Sequence, residues 1–244
     1  MIKIHLDSEL AAITREKRRK IQYRLDRRAN IKDIVESLGI PHTEIGSFGT
    51  SERRVYWDHI PSDGEVLRVE SIVPPFDVTR PGILRPHPLP DLRFICDVNV
   101  GKLAVLLRMI GADAWMENDW DDACIAAAAQ KFGRVVLSKD SGLLKRKQIE
   151  FGRLVRSEDP DRQLKEVVDF FGLRPDKFFT RCLRCNTRLV PVEKSEIEHR
   201  LLPKTRKYFQ KFFVCPGCGR VYWSGSHMDK MRDRLRAIGL NPSF

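Results

Sequence analysis

Two Cys-X-X-Cys pairs near the C-terminus constrain this 244-residue chain more than any other feature. Cys182 pairs with Cys185 and Cys215 with Cys218, and 29 residues separate the two pairs. Four thiolates at this spacing are typical ligands of one tetrahedral Zn²⁺. Because a site closed by four thiolates is structural, the sequence predicts a zinc ribbon here and chemistry elsewhere in the chain.

The bulk composition indicates a globular protein that stays in the cytoplasm. Apolar residues make up 42% of the chain, which is enough for packed cores. No apolar run approaches the ~20 residues that span a bilayer, and the first residues lack the apolar segment of a signal peptide. The remaining cysteines, Cys96 and Cys124, stand alone in apolar segments. Unpaired and metal-binding thiols fit a reducing compartment, so we predict a cytoplasmic protein that does not enter a membrane.

The positive charge of the chain is concentrated at its C-terminal end. The formal net charge is +11, but residues 1–91 carry only +1 and residues 92–173 carry none. Residues 174–236 hold 16 Lys and Arg against 6 Asp and Glu. Such a localised field favours a polyanionic partner, and we expect nucleic acid. A solvated basic surface is the alternative.

The first 92 residues predict a small α+β domain and a linker. Residues 2–6 alternate apolar and polar side chains, as a half-buried strand does, and residues 21–25 repeat the pattern. Asn30 is placed to cap a helix over 31–38, and residues 66–73 predict a closing strand. This order predicts a ubiquitin-like β-grasp domain over 1–80. Prolines crowd residues 74–92, so we predict a linker, with 81–92 as its core, extended over the surface.

Strands and helices alternate over residues 93–173. Strands are predicted at 93–96, 113–116, 134–137 and 154–155, and helices at 103–110, 121–132 and 163–171. Repeated βα units form parallel sheets that are covered by helices on both faces, so we predict an α/β domain of this type. Residues 174–244 complete the chain as a zinc ribbon, with a strand at 221–223 and a basic helix at 229–236.

Carboxylates are placed to meet at one edge of this parallel sheet. Asp97 and Asp140 directly follow predicted strands, and Asp122 begins the helix before the third strand. The loop before that helix adds Asp119 and Asp121. Converging carboxylates repel unless a cation lies among them, and hard oxygen ligands select Mg²⁺ or Mn²⁺, which activate water for attack at phosphorus. Each residue also has an ordinary alternative, since Asp121 and Asp122 suit a first helical turn and Asp140 suits a turn cap.

The sequence resembles a known family over residues 93–228. Residues 122–129 (Asp-Ala-Cys-Ile-Ala-Ala-Ala-Ala) followed by 136–140 (Val-Leu-Ser-Lys-Asp) are similar to the second half of a PIN-domain nuclease. The resemblance is closer to one branch, the Mut-seven C-terminal RNase domain family. Its pattern includes the stretches 94–104, 107–111, 137–144, 181–186 and 215–227. Residues 1–80 look like the ubiquitin-like domain that often precedes this nuclease.

This resemblance implies metal-dependent cleavage of RNA. It assigns catalysis and the binding of Mg²⁺ or Mn²⁺ to Asp97, Asp122 and Asp140, and adds Asp119 and Asp121 as further catalytic candidates. Many PIN nucleases carry another acidic residue in the helix that is predicted here near 102–110, which has no Asp or Glu. The alternative is therefore a non-catalytic RNA- or ribosome-binding factor. A toxin-like nuclease is a third interpretation, but the additional domains argue against it.

Two groups of residues are candidates for holding RNA. Lys139, Lys145, Arg146 and Lys147 follow or flank Asp140 and suit backbone phosphates, although a solvated loop explains them equally well. On the ribbon, the candidates are Arg220, Tyr222, Trp223 and His227, because aromatic rings stack unpaired bases. One of the two rings at 222 and 223 is expected to pack against the metal core instead. RNA, as tRNA or as rRNA in the ribosome, is the expected partner, and the β-grasp domain is a candidate site for a protein partner.

Overall fold

The fold comes from a computed structural model that describes residues 1–241, so the last three residues of the predicted segment 174–244 lie outside the described residues. Three separate sheets form in chain order, with five, four and three strands. The sheet of four strands is parallel and flanked by helices, and the N-terminal region is rich in strands, as the sequence predicts. No helix within the described residues has the length and apolar character needed to cross a membrane.

The N-terminal sheet has the β-grasp arrangement. Its elements are β1 (Ile2–Leu6), α1 (Ser8–Ile13), β2 (Lys20–Tyr23), α2 (Ile31–Ser37), β3 (Ile45–Gly49), β4 (Arg54–Val55) and β5 (Val66–Ser71). The strand order is β2-β1-β5-β3-β4, and only the central pair β1 and β5 is parallel. Alternate residues of β1 point into the core, and the Asn30 side chain caps α2 by accepting the Asp33 N–H at 2.8 Å. The predicted cap is confirmed.

The second sheet is fully parallel. Its elements are β6 (Phe94–Cys96), α3 (Gly101–Met109), β7 (Ala114–Trp115), α4 (Asp122–Phe132), β8 (Val135–Ser138), α5 (Ser141–Leu144), β9 (Gly152–Leu154) and α6 (Pro160–Phe171). The strand order is β7-β6-β8-β9. Phe94 and Cys96 pack into one core cluster with residues of α3 and α6, whereas Ile95 packs into another with α4. Both faces are therefore buried, which explains the continuous apolar strands.

The third sheet carries the cysteines. Its elements are β10 (Val190–Val192), α7 (Lys194–Ile197), α8 (Pro203–Tyr208), β11 (Phe212–Val214), β12 (Val221–Trp223) and α9 (Ser226–Ala237). The three strands are antiparallel, and the two short helices α7 and α8 were not anticipated between the cysteine pairs. Helix α9 buries Leu235 in the core of the parallel sheet, and its Arg234 pairs with Asp161 at 2.6 Å. The basic helix is thus docked rather than free.

The proline-rich segment is mostly exposed but has a few buried anchor residues. Residues 81–92 form no helix or strand, as their prolines require. They do not simply run over the surface, however, because Leu84 is 5% exposed within the β-grasp core and Arg85 is also 5% exposed. Val78, just before them, is buried in the core of the parallel sheet. Eight of residues 81–92 are exposed, and the few buried or half-buried side chains anchor the segment to both cores.

Candidate functional site

Asp97 and Asp140 are joined through the hydroxyl of one buried serine. The chain leaves β6 at Asp97 and leaves β8 just before Asp140, and these strands are parallel neighbours. Ser138 is fully buried, and its Oγ donates to Asp97 Oδ2 at 2.7 Å. The same Oγ accepts the Asp140 N–H at 2.8 Å. The structure therefore places both carboxylates at one edge of the sheet, which we call the carboxyl edge (residues 97–99 and 138–140).

Asn99 belongs to the same hydrogen-bond network, and the sequence reasoning missed it. Its Nδ2 donates to Asp97 Oδ2 at 2.6 Å, and its Oδ1 accepts the Lys139 N–H at 3.1 Å. Asn99 thus fixes the carboxylate of Asp97 and the backbone that carries Asp140. Its position two residues after a strand-end Asp is the signal that points to it, since polar side chains there share the same edge.

Asp122 approaches this edge through Arg146. It is the first residue of α4, and its Oδ2 lies 3.6 Å from an Arg146 guanidinium nitrogen. Arg146 stands just after α5, the short helix that Asp140 caps by accepting the Gly142 N–H at 2.6 Å. The turn-capping alternative for Asp140 is therefore realised. This cap uses Oδ1 of Asp140, and Oδ2 of Asp140 has no hydrogen-bond partner within residues 1–241.

Asp121 and Asp119 occupy different positions. Asp121 is the N-cap of α4, and its Oδ1 accepts the Cys124 N–H at 2.7 Å. This hydrogen bond lowers the pKa of the Asp121 carboxyl below its ordinary value. Asp121 therefore serves the helix terminus, as the alternative interpretation states. Asp119 is exposed in the preceding turn.

The five carboxylates do not form a tight cluster. Within the described residues, only the four cysteines place three or more metal-ligating side chains within 4.8 Å of one another. The donors at the carboxyl edge are nevertheless all oxygens of the hard type that Mg²⁺ and Mn²⁺ prefer. The hydrogen bonds of Asp97 use Oδ2 and leave Oδ1 without a partner in residues 1–241. The donor set fits a partly hydrated divalent ion, which needs only one or two protein carboxylates.

Of the predicted phosphate ligands in this region, Lys139 is the nearest to the carboxyl edge. Its ammonium group pairs with Glu158, which lies beside Asn99 in a cleft of about 480 Å³ next to the N-terminal turn of α3. Arg146 contacts Asp122 and is exposed. Lys147 is exposed and Lys145 is half-buried at the end of α5. The structure thus pairs Arg146 with one candidate carboxylate, Asp122, whereas Lys139 pairs with Glu158.

The four cysteines form a second centre. Sγ atoms lie 3.5 Å apart between Cys182 and Cys218, and 3.4 Å apart between Cys185 and Cys215. A tetrahedral ion with metal–sulfur distances of about 2.3 Å separates its sulfurs by about 3.8 Å, so the four thiols are arranged to hold one metal ion. His227 is not part of this group, which agrees with its predicted surface position.

The two cysteine pairs adopt the same local backbone. In the first, the Asn186 N–H donates to Cys182 O at 2.9 Å, and in the second the Gly219 N–H donates to Cys215 O at 2.8 Å. Both donors have positive φ, 67° at Asn186 and 70° at Gly219. This conformation turns the chain sharply after each pair, which suits glycine and asparagine. The sequence therefore encodes two matching metal-binding turns.

The hydroxyl of Tyr222 contacts the cysteine cluster, although the half-buried residue also lines the groove between β12 and α9. Its hydroxyl lies 3.1 Å from Cys182 Sγ and accepts the Leu183 N–H at 3.2 Å. Burial acts to raise the pKa of Cys182, but the hydrogen bonds from Tyr222 and nearby backbone N–H groups lower it below its ordinary value. The thiolate that binds metal is favoured as a result. Tyr222 is the ring for which the packing alternative holds.

The remaining ribbon candidates surround a groove. Arg220, Trp223 and His227 line a space of about 400 Å³ between β12 and α9, together with the apolar side chains of Leu183, Met228 and Met231. Arg220 and His227 are exposed, and Trp223 is half-buried. A half-buried indole beside a guanidinium can stack a base while the cation holds a phosphate.

A buried arginine fastens the cysteine module to the parallel sheet. Arg108 of α3 is 2% exposed, and it donates to Leu183 O at 3.0 Å and to Arg184 O at 2.7 Å, within the first cysteine pair. It also donates to Ala114 O, in the first residue of β7, at 2.8 Å. The module is thus held rigidly against the domain that carries the carboxylates.

Comparison with known families agrees with this arrangement. The sequence model of the Mut7-C RNAse domain matches residues 92–235, and that of the Mut7-C ubiquitin domain matches residues 1–77. No curated protein and no solved structure matches the chain. The first match includes both the carboxyl edge and the four cysteines.

Proposed function

We propose, because this chain belongs to the Mut7-C RNAse domain family, that it hydrolyses RNA phosphodiester bonds with the help of Mg²⁺ or Mn²⁺ at the carboxyl edge. The family supports a nuclease that acts on RNA. The metal dependence and the residues are our proposal. The observation that carries it is the Ser138 hydroxyl, which couples Asp97 and Asp140 across two neighbouring strands.

Each residue of the edge has a specific part in the proposed reaction. Asp97 and Asp140 hold the divalent ion, which when bound supplies an activated water and neutralises charge on the phosphate. Asp122 acts beside them, and Asp119 and Asp121 remain weaker catalytic candidates. Ser138 and Asn99 fix the orientation of Asp97. Lys139 and Arg146 approach the scissile phosphate as cations.

The cysteine module supplies the second part of the proposal. We assign Zn²⁺ to Cys182, Cys185, Cys215 and Cys218, since four thiolates in this geometry are typical of structural zinc. The groove of Arg220, Trp223 and His227 then holds an unpaired stretch of the RNA. The proposal keeps the cytoplasmic location predicted from the sequence, because zinc-binding thiols must stay reduced.

The test compares turnover in matched variants. Asp97→Asn is expected to lower kcat/KM for a hairpin RNA by at least about 100-fold, because even partners that only orient a metal ligand are worth about 10- to 100-fold. Ser138→Ala is expected to fall in that smaller range. Asp91→Asn is the control, because Asp91 is an exposed acid six residues before Asp97 that pairs with Arg93. Unchanged cleavage by Asp97→Asn in the presence of Mg²⁺ would refute the assignment.

Two observations favour the non-catalytic alternative. Helix α3 contains no Asp or Glu, and the carboxylates do not cluster tightly. An RNA-binding factor with a degenerate nuclease site would bind RNA with strong salt dependence and show no cleavage with either Mg²⁺ or Mn²⁺. Binding and cleavage measured on the same preparation therefore separate the two functions.

A further inference from the structure

A strongly basic segment of the β-grasp domain has no part in the function described so far. Eight of the fourteen residues from 15 to 28 are Lys or Arg, and two are acidic. All eight basic side chains are exposed. The charge of residues 1–91 as a whole is nearly balanced, so an average over the domain hides this cluster.

Few of these charges are neutralised within the molecule. Arg18 pairs with Glu16 at 3.4 Å, and Arg24 pairs with Asp26 at 2.9 Å. Within residues 1–241, no ion pair involves the other six basic residues, which are Arg15, Lys17, Arg19, Lys20, Arg27 and Arg28. The cluster surrounds β2, which is an edge strand of its sheet. Thr14, Arg15, Arg18 and Lys20 also line a polar groove of about 620 Å³.

The basic segment is connected to the carboxyl edge by a chain of contacts. Lys139, beside Asp140, pairs with Glu158. Two residues earlier, Arg156 donates to Glu9 of α1 at 2.6 Å. Since a helix rises ~1.5 Å per residue, helix α1 ends roughly 6 Å beyond Glu9, at Ile13, and the basic segment begins two residues later, at Arg15.

The composition of the surface distinguishes between classes of partner. None of the exposed large apolar side chains within residues 1–241 falls between positions 15 and 28. A membrane-binding face requires apolar anchors, and the core of a protein interface is built from apolar and aromatic side chains. In residues 15–28 the apolar side chains Ile21, Tyr23 and Leu25 pack against the core, so the exposed surface is mainly Lys and Arg, the composition that contacts phosphate backbones.

We propose that residues 15–28 form a basic face that binds the phosphate backbone of the RNA substrate. The β-grasp domain then positions RNA whose cleaved bond lies at the carboxyl edge. This inference rests on the proposed function for the identity of the polyanion, and it replaces a protein partner with RNA as the role of this domain.

The experiment compares two variants, each of which lacks two positive charges at one edge of the same sheet. The basic-face variant is Arg19→Gln with Arg28→Gln, and the control is Arg53→Gln with Arg54→Gln at the opposite edge, where both side chains are also exposed. Both changes are made in the full chain carrying Asp97→Asn, so that RNA binding is measured without cleavage. The probe is a fluorescein-labelled hairpin RNA with a single-stranded extension, followed by fluorescence anisotropy over a series of salt concentrations.

The expected loss follows from counterion release. Each phosphate contact to a single strand contributes about 0.7 to the salt slope, so two lost contacts lower it by about 1.4 and weaken binding roughly 25-fold at about 0.1 M salt. The control variant is expected to bind within about twofold of the parent, and all variants are expected to keep the parent melting temperature. In cleavage assays with Asp97 intact, the basic-face variant is expected to raise KM rather than lower kcat.

Three results would overturn the inference. The first is RNA binding by the basic-face variant that equals the parent, and the second is an equal loss in the control, which would indicate a general charge effect. The third is binding of the parent, but not of the basic-face variant, to phosphatidylcholine vesicles containing phosphatidylserine while RNA binding stays unchanged. Absence of cleavage alone would count against the nuclease proposal and leave the binding result intact.

Discussion

Arg85 connects the two larger sheets, and its replacement by methionine should destabilise the whole chain. Its guanidinium donates to the backbone carbonyls of His42, Thr43 and Ile45 in the β-grasp domain at 2.9 to 3.1 Å. Its Nε donates across the boundary to Glu150 O at 3.2 Å. Burial lowers the pKa of Arg85 to about 10, which still leaves the side chain charged at neutral pH.

The size of the effect is set by two opposing contributions. Arg85→Met leaves four carbonyls without these donors, and an orphaned buried acceptor costs about 1 to 3 kcal/mol. Removal of the charge relieves its desolvation, which offsets part of that cost. The cation also lies 5.5 Å from the ring centre of Phe76, a contact that methionine cannot replace. We expect a net loss of about 4 kcal/mol, or about 8 to 16 °C in melting temperature.

The assay is urea unfolding together with limited proteolysis. Trp57 reports on the boundary, because its Nε1 donates to Leu84 O at 2.9 Å, next to Arg85. Arg80→Met is the matched control, since Arg80 is exposed in the same segment and pairs with the exposed Asp77. The Arg85→Met protein should also be cut faster than the parent between residues 74 and 92. A loss below about 1 kcal/mol, with unchanged proteolysis, would show that Arg85 does not hold the domains together.

Two further predictions concern the cysteine module. Chelation of the parent protein should release one metal ion per chain, and Cys215→Ser should purify without that ion. Metal analysis of both proteins checks this, and a full metal content in Cys215→Ser would contradict the four-thiolate site. Burial acts to raise the pKa of Asp113, but hydrogen bonds from Arg134 and Asn186 lower it below its ordinary value. The ionised Asp113 should therefore stabilise the fold above about pH 4, and this stabilisation should be lost as the pH falls through the lowered pKa. Below about pH 4, the melting temperature of Asp113→Asn should therefore depend less on pH than that of the parent.

Much of the architecture was predictable because it depends on local spacing. The cysteine pairs and the Asn30 cap each involve residues only a few positions apart. The carboxyl edge was also predictable in outline. Parallel strands end at a common edge, so Asp97 and Asp140 had to share it once their strands were placed.

The partners of the buried polar groups were not predictable. Arg85 and Arg108 read as ordinary surface cations in the sequence, but each lies almost fully buried among backbone carbonyls from distant segments. The prolines of residues 74–92 correctly predicted the absence of regular structure and a largely exposed path, but not the burial of Val78, Leu84 and Arg85. A lack of backbone hydrogen bonding says nothing about which core receives a neighbouring apolar side chain.

The sequence by itself determined the modules, the metal-binding turns and the edge at which carboxylates gather, because these follow from periodicity and short-range geometry. Only the tertiary structure decided that Ser138 joins the two acids, that Tyr222 turns into the metal core, and that the basic face connects to the carboxyl edge through Arg156 and Glu9. The physical reason is that the partners in these contacts lie far apart along the chain. A hydrogen bond or ion pair between residues 40 to 147 positions apart is set by the packing of whole elements, and no local pattern encodes it.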